Sequence, residues 1–415
     1  MDDDRESTAI FVLPMSRAST AAPVAAWVTT GGWALGAQQV LGSAWILSDS
    51  GFFSPQESLQ NVAIRGEARI TSPKAWRHAV PEPAITLLKD MRRAADARRR
   101  ALGIDGGPWE PDAVRFVWQR HVLFRRDGLA LSMRLRVPLV LSVHALQVAE
   151  AQGWGVRRPG WARLVERRGE LPQLHAADLV ACVSDEVAES VVLRGVPEAR
   201  VLVTPNGVDT ARFRPSGSRM AIRERYGIEE ATFVIAWSGS FRRFHGVELA
   251  LDSLCHLERA GHNVRLLLMG DGQHLSMLER RAAQLGLRSV TFTGSIPFDE
   301  MPDHLAACDA GLVLTGTSGG FHYSPVKLRE YAACALPIVA HDVGEPGQLL
   351  EDRETALLVP PDDAEALASA IARLVTQPGL RAKLGQNARL LAEDRFAWST
   401  QVERTLHHLD QLTAK

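Results

Sequence analysis

The chain has 415 residues, 46% hydrophobic and 23% charged, with a formal net charge of -1. Such a length is too great for one ordinary core and points to two domains of about 200 residues. The near-zero charge excludes a global field drawing the chain to nucleic acid or to an anionic membrane. Cys182, Cys255, Cys308 and Cys334 show no C-x-x-C spacing, which argues against a disulfide framework or a zinc site and for a reducing, cytoplasmic setting.

AIFVLP (9–14) is a short apolar run suited to a first strand. From Ala18 to Ser48 no residue is charged, which raises the question of a membrane span. Pro23, Gly31, Gly32, Gly36, Gln38 and Gln39 interrupt the run, and the acidic flank MDDDRE is no secretory n-region. A buried helix broken near the Gly pair is the expectation. VRFVWQ (114–119), PLVLSVH (138–144), DLVACVS (178–184) and RVLVTPNG (200–207) read as further strands, with helical stretches such as PAITLLKDMRRAADARRRALG between them.

VDTARFRPSGSR (208–219) lacks periodicity and reads as a linker. The alternation then restarts with FVIAWSG (233–239), VRLLLMGDG (264–272), SVTFTG (289–294), DAGLVLTG (309–316) and LPIVAHD (336–342). Helices such as GVELALDSLCHLERAG intervene, and AEALASAIARLV and the 385–413 segment are helical. The fold class is therefore α/β, two Rossmann-like doubly wound domains facing a cleft. Residues 1–207 form the first and 208–396 the second, with a final helix of about 397–415 packing back on the first. Ligands of open parallel sheets bind beyond the strand C-terminal ends, so those ends carry the functional question.

Five stretches at strand ends stand out. SGSFRRFHGVELAL (238–251) is a strand end, a glycine turn, a basic loop and an amphipathic helix. There Gly239 would let the backbone approach a ligand, Gly246 would open the helix, and Arg242 or Arg243 could clamp a diphosphate. The same loop is as readily a solvated basic turn. SPVKLREYAACALPIVA repeats the pattern: Pro325 fixes a helix start, amides near Val326 and Lys327 face an anion, and Lys327 adds charge. Glu330 is either a favourable first-turn acid or a bidentate acceptor for two ribose hydroxyls. His144 ends a parallel strand and so faces the cleft, although a lone His is commonly structural. MGDG (269–272) and TGSIP (293–297) suit close approach to a flat base. The sequence has no P-loop, G-x-G-x-x-G, metal motif or nucleic-acid module. The Arg98–Arg100 and Arg157–Arg158 clusters read as solvated faces, with contact to an anionic or lipid-linked acceptor as the alternative.

Seven stretches in order, PLVLSVHALQVAE, DLVACVSDEVAESVVLRGVPEARVLVTPNGVD, SGSFRRFHGVE, LLLMGDGQHLSMLERRAAQLGL, FTGSIPFDEMPDHLAACDAGLV, SPVKLREYAACALPIVA and ETALLVPPDDAEALASAI, resemble GT-B glycosyltransferases of family 4. These are retaining enzymes using nucleotide-sugar donors. The resemblance implies that Glu330 is the second Glu of an E-x7-E element and binds ribose, and that His144 contacts the donor sugar. Residues 292–297, with Gly294, Ser295 and Ile296, would hold the base. Gly239, beneath the phosphate loop, with Ser240, Arg243, His245, Gly272, His322, Tyr323, Ser324, Pro325 and Val326, would complete the donor-binding set. Ser240 and His245 stand where members commonly carry Arg and Lys. A subgroup with a G-S-L-K-P-W-H-G-like loop makes the same replacement and keeps a cation at the position of Arg242, which the resemblance therefore implies is the phosphate clamp, with Arg243 second. His322 stands at the first Glu of the element and is expected to alter donor-sugar recognition. The predicted catalytic set is His144, Arg242, Lys327 and Glu330.

The expected reaction is metal-independent, retaining transfer from a UDP- or GDP-type sugar to an acceptor hydroxyl, with no cofactor. The nucleotide sugar is a substrate, and the chain is a monomer or a homodimer. Nucleic acid is no partner, no segment crosses a membrane, and a peripheral membrane contact is compatible. The rival readings are a nucleotide-sugar epimerase or phosphorylase on the same fold, and a non-catalytic sugar-nucleotide-binding protein motivated by His322.

Overall fold

The computed structural model describes residues 7–16, 24–60, 80–100, 106–315 and 324–414. Apolar runs become strands where sequence reading places them: β1 Ser7–Leu13, β4 Val114–Arg120, β5 Leu139–Val143, β6 Leu179–Cys182 and β7 Val201–Val203. In the second half lie β8 Phe233–Ser238, β9 Val264–Met269, β10 Val290–Gly294, β11 Ala310–Val313 and β12 Ile338–His341. β5 and β8 are buried along their whole length, the condition under which parallel strands read as unbroken apolar runs. Three strands escape that reading: β2 Gly42–Ser48, β3 Gly51–Phe53 and β13 Ala356–Val359.

The strands form two sheets, in the orders β3-β2-β1-β4-β5-β6-β7 and β10-β9-β8-β11-β12-β13. The pairing is parallel apart from the β2–β3 hairpin edge. Strand order reverses beside β1 in the first sheet and beside β8 in the second, and such switch points are where doubly wound sheets open a crevice. The two sheets have separate cores, one around Phe11, Trp33 and Trp118, the other around Trp237, Phe241 and Leu268.

One expectation about helices is corrected. The Val24–Leu41 helix runs unbroken through Gly31 and Gly32. A Cβ on Gly32 would stand 2.3 Å from the Trp398 ring, and one on Gly31 would stand 2.6 Å from Ser58 Oγ. The glycine pair is therefore a packing surface and not a break. The 385–413 segment is two helices, Pro378–Arg395 and Trp398–Thr413, parted at Phe396–Ala397. At that break Ala397 bridges Val208, and Val208 N–H donates to Phe396 O over 2.7 Å. The final helix then lays Trp398, Val402 and Leu409 into the core of the first sheet.

Candidate active site

The C-terminal edge of the second sheet carries most of the predicted residues. Gly239 follows β8 at φ +143°, and Gly270 and Gly272 follow β9 at φ +152° and +156°. A Cβ on Gly270 would stand 1.8 Å from Gly239 O, so these turns touch backbone to backbone and only glycine fits. Gly239 N–H donates to Met269 O over 3.0 Å, and Gly270 N–H to Gly294 O over 2.9 Å. Gly246, at φ +61°, precedes the Val247–Arg259 helix. The turn between them holds Ser240, Arg242 and Arg243.

The Val326–Ala333 helix starts after Pro325 and brings Lys327 and Glu330 to the same edge. Its placement is fixed by Tyr331, whose hydroxyl accepts from Ser238 N–H over 2.8 Å at the end of β8. Lys327 is buried, its Nζ has no hydrogen-bond partner, and it lies 3.8 Å from the Trp237 ring centroid. A Cβ on Gly239 would stand 3.2 Å from that Nζ, so the ammonium borders the bare turn. Burial lowers the Lys327 pKa to about 7, opposed by the Glu330 carboxylate. Burial raises Glu330 to about 7, opposed by Lys327. Glu330 also lines a small cavity with Val28, Gly32, Gly207 and Trp398 at the junction of the two sheets' domains. His245 lies 5.8 Å from Trp237, centroid to centroid, and burial with the charges of Lys327 and Arg242 holds it well below its usual pKa.

Ser324 departs from its expected part. Its hydroxyl donates to Glu345 Oε1 over 3.0 Å and accepts from Asn206 N–H over 3.0 Å. Asn206 Nδ2 donates to Ser324 O over 2.7 Å, and Arg329 Nη1 donates to Glu345 Oε2 over 2.7 Å. The hydroxyl expected on the donor side is consumed in a buried network that anchors the helix start. Ile296 is a core residue, so only its backbone can serve a base. Ser295 Oγ, in the same stretch, is buried with no hydrogen-bond partner among the described residues. His322 and Tyr323 lie outside the described residues.

His144 belongs to the other edge of the cleft, past β5. Its Nε2 lies 2.9 Å from Arg120 Nη1, a neighbour that sequence reading missed by ending that strand at Gln119. A cation closing a parallel strand is the available signal, by the rule that singled out His144. Arg242 is exposed and stands 5.7 Å from the Trp154 ring centroid; Trp154 in turn stacks on Phe244 at 6.2 Å and 1°. A residue of the first domain thus meets the basic loop of the second. Arg158, expected to be solvated, is instead buried against Asp90, Nε to Oδ2 2.8 Å.

Two family models match the chain: "Glycosyltransferase Family 4" over residues 52–212 and "Glycosyl transferases group 1" over residues 218–391. A GDP-mannose-dependent alpha-(1-6)-phosphatidylinositol monomannoside mannosyltransferase of Mycolicibacterium smegmatis is 31% identical, over 67% of this chain and 73% of the relative. A D-inositol 3-phosphate glycosyltransferase of Acidothermus cellulolyticus is 32% identical, over 72% and 67%. In fold, the chain resembles sucrose-phosphate synthase from Thermosynechococcus elongatus at TM-score 0.68 and 21% identity, covering 98% and 99% of the two chains. Two facing doubly wound domains, a glycine-and-cation cleft edge and these relatives place the chain in the GT-B glycosyltransferases of family 4.

Proposed function

We propose that this glycosyltransferase moves a sugar from a UDP- or GDP-type donor to an acceptor hydroxyl with retention of anomeric configuration. Residues 208–396 act as the donor half and 1–207 as the acceptor half, with the last helix returning to the first. The observation that carries the reading is the buried Lys327 Nζ, which has no hydrogen-bond partner among the described residues and borders the bare Gly239 turn. A buried ammonium without a partner is costly, and a diphosphate would supply the missing oxygens. Lys327, Arg242 and the starts of the Val247–Arg259 and Val326–Ala333 helices would meet the departing charge, in place of a metal ion, by preorganised electrostatics. A leaving phosphate oxygen would take the acceptor proton on the same face. Glu330 would accept from the ribose hydroxyls, His144 would contact the sugar, and residues 292–297 would seat the base.

The relative named GDP-mannose-dependent supports a nucleotide-sugar donor. The Glu82–Arg100 helix supports the peripheral contact. Its outer surface exposes Leu88 and Met91, 60% and 61% accessible, beside Lys89, Arg92 and Arg93, while Thr86 and Asp90 face inward. Apolar and cationic side chains together suit an anionic lipid surface. Among the described residues no helix is long and apolar enough to cross a membrane.

Incubation with a panel of nucleotide sugars and hydroxyl acceptors tests the proposal. Transfer, or slow donor hydrolysis, together with loss of nucleoside diphosphate binding in Glu330→Ala, supports it. Tight binding without any turnover across the panel would favour the non-catalytic reading instead.

A further inference from the structure

The guanidinium beside His144 has consequences of its own. Arg120 is the last residue of β4 and pairs in register with Ser142 of β5, two positions before His144. Parallel neighbours therefore bring Arg120 and His144 together at the cleft edge. Arg120 Nη1 lies 2.9 Å from His144 Nε2 and donates over 2.9 Å to Thr29 Oγ1. Thr29 in turn passes its own proton to Ala25 O over 2.7 Å, so its oxygen is free to accept.

A guanidinium has donors only and stays charged. Facing it, the His144 Nε2 must offer its lone pair, which places the ring proton on Nδ1. A second proton on Nε2 would break the hydrogen bond and set two cations in contact. We infer that Arg120 is a positioning residue that locks the His144 imidazole as the neutral Nδ1–H tautomer, a fixed donor for a hydroxyl of the transferred sugar. The lock deepens the reading of His144 proposed above and rests on it only for the identity of the hydroxyl.

The surrounding charges agree with the geometry. Burial lowers the Arg120 pKa to about 10, opposed by Glu150 of the Gln147–Gly153 helix, so the guanidinium remains charged at neutral pH. Burial first, and then the charge of Arg120, hold His144 well below its usual value. The adjoining His121 feels Arg120 too, and its Nε2 lies 3.8 Å from the buried Glu170.

The test uses the full chain carrying 15N-labelled histidine, without ligand, and His144→Gln assigns the resonance by subtraction. At pH 6 the His144 ring is expected to be neutral with the proton on Nδ1. Arg120→Met should let the ring titrate at a higher pH or switch to Nε2–H, and Arg120→Lys, which can still donate, should retain more of the lock. Nucleoside diphosphate affinity should stay within about twofold in Arg120→Met, which reports that the donor half is intact. An imidazolium or an Nε2–H ring in the unmodified protein at pH 6 overturns the inference. So does an unchanged tautomer and titration in a folded Arg120→Met. If that variant does not fold, the unmodified resonance decides alone. A confirmed lock with full turnover in His144→Gln would leave the lock standing and remove the sugar contact.

Discussion

At the residue scale, Lys327 and Glu330 set the acid–base behaviour of the empty site. Lys327 titrates near 7, below its usual 10.5, because burial disfavours the ammonium. Glu330 titrates near 7, above its usual 4.5, because burial disfavours the carboxylate. For Glu330, whose folded value is raised, the stabilising contribution is full below pH 4.5 and is lost as pH rises toward 7. For Lys327, whose folded value is lowered, it is full above pH 10.5 and is lost as pH falls toward 7. Their combined contribution to stability is therefore lowest near neutrality. Glu330→Gln should flatten the fall in melting temperature between pH 5 and pH 7, as followed by thermal melts. Binding reverses the burden on Lys327, since a diphosphate stabilises the ammonium. At pH 8 nucleoside diphosphate binding should take up protons, seen as a dependence of calorimetric enthalpy on buffer ionisation. Lys327→Met should abolish that dependence, and a buffer-independent enthalpy in the unmodified protein would count against Lys327 as the phosphate contact.

At the element scale, legibility followed burial and sequence distance. β5 and β8 were readable because both faces are covered and the runs are unbroken. β2 was not, because GSAWILS follows a helix directly. The Gly31–Gly32 pair misled because the groups that require it, Ser58 for Gly31 and Trp398 for Gly32, lie farther along the chain. Arg158 misled for the same reason, since its partner Asp90 is 68 positions away. Gly32→Ala should consequently destabilise by about 1–3 kcal/mol, the usual cost of overpacking a filled site. A lower melting temperature or denaturant midpoint would register it, whereas an unchanged one would mean that Trp398 can move aside. The Glu82–Arg100 helix makes the converse case, because its Leu88 and Met91 are exposed. Replacing both by Gln should leave the melting temperature nearly unchanged and reduce co-sedimentation with vesicles containing phosphatidylglycerol. Equal co-sedimentation of both proteins, or none by the unmodified chain, would discard the membrane contact.

At the scale of the whole molecule, the glycine turns and the cations of the basic loop and of the Val326–Ala333 helix start were visible in the sequence because each is local. The joints between domains were not, since they pair distant residues. Asn206 with Ser324 is one such joint, and Trp154 with Phe244 and Arg242 is another. The second bears on catalysis. Arg242 rests against Trp154, whereas the proposed clamp would turn toward a diphosphate. A cation–π contact at an exposed site contributes about 0.5–1 kcal/mol, so releasing it should cost donor affinity roughly two- to fivefold. Trp154→Ala frees Arg242 in advance and should tighten nucleoside diphosphate binding by up to about that factor. The same change removes an aromatic contact between the two halves, so kcat should fall while the dissociation constant does not rise. Arg242→Ala should instead lower kcat with a smaller loss of donor affinity. Calorimetry and steady-state rates on the two variants separate these effects. Weaker nucleotide binding in Trp154→Ala would mean that the tryptophan holds Arg242 in its working position, and that the contact belongs to the closed, donor-bound molecule.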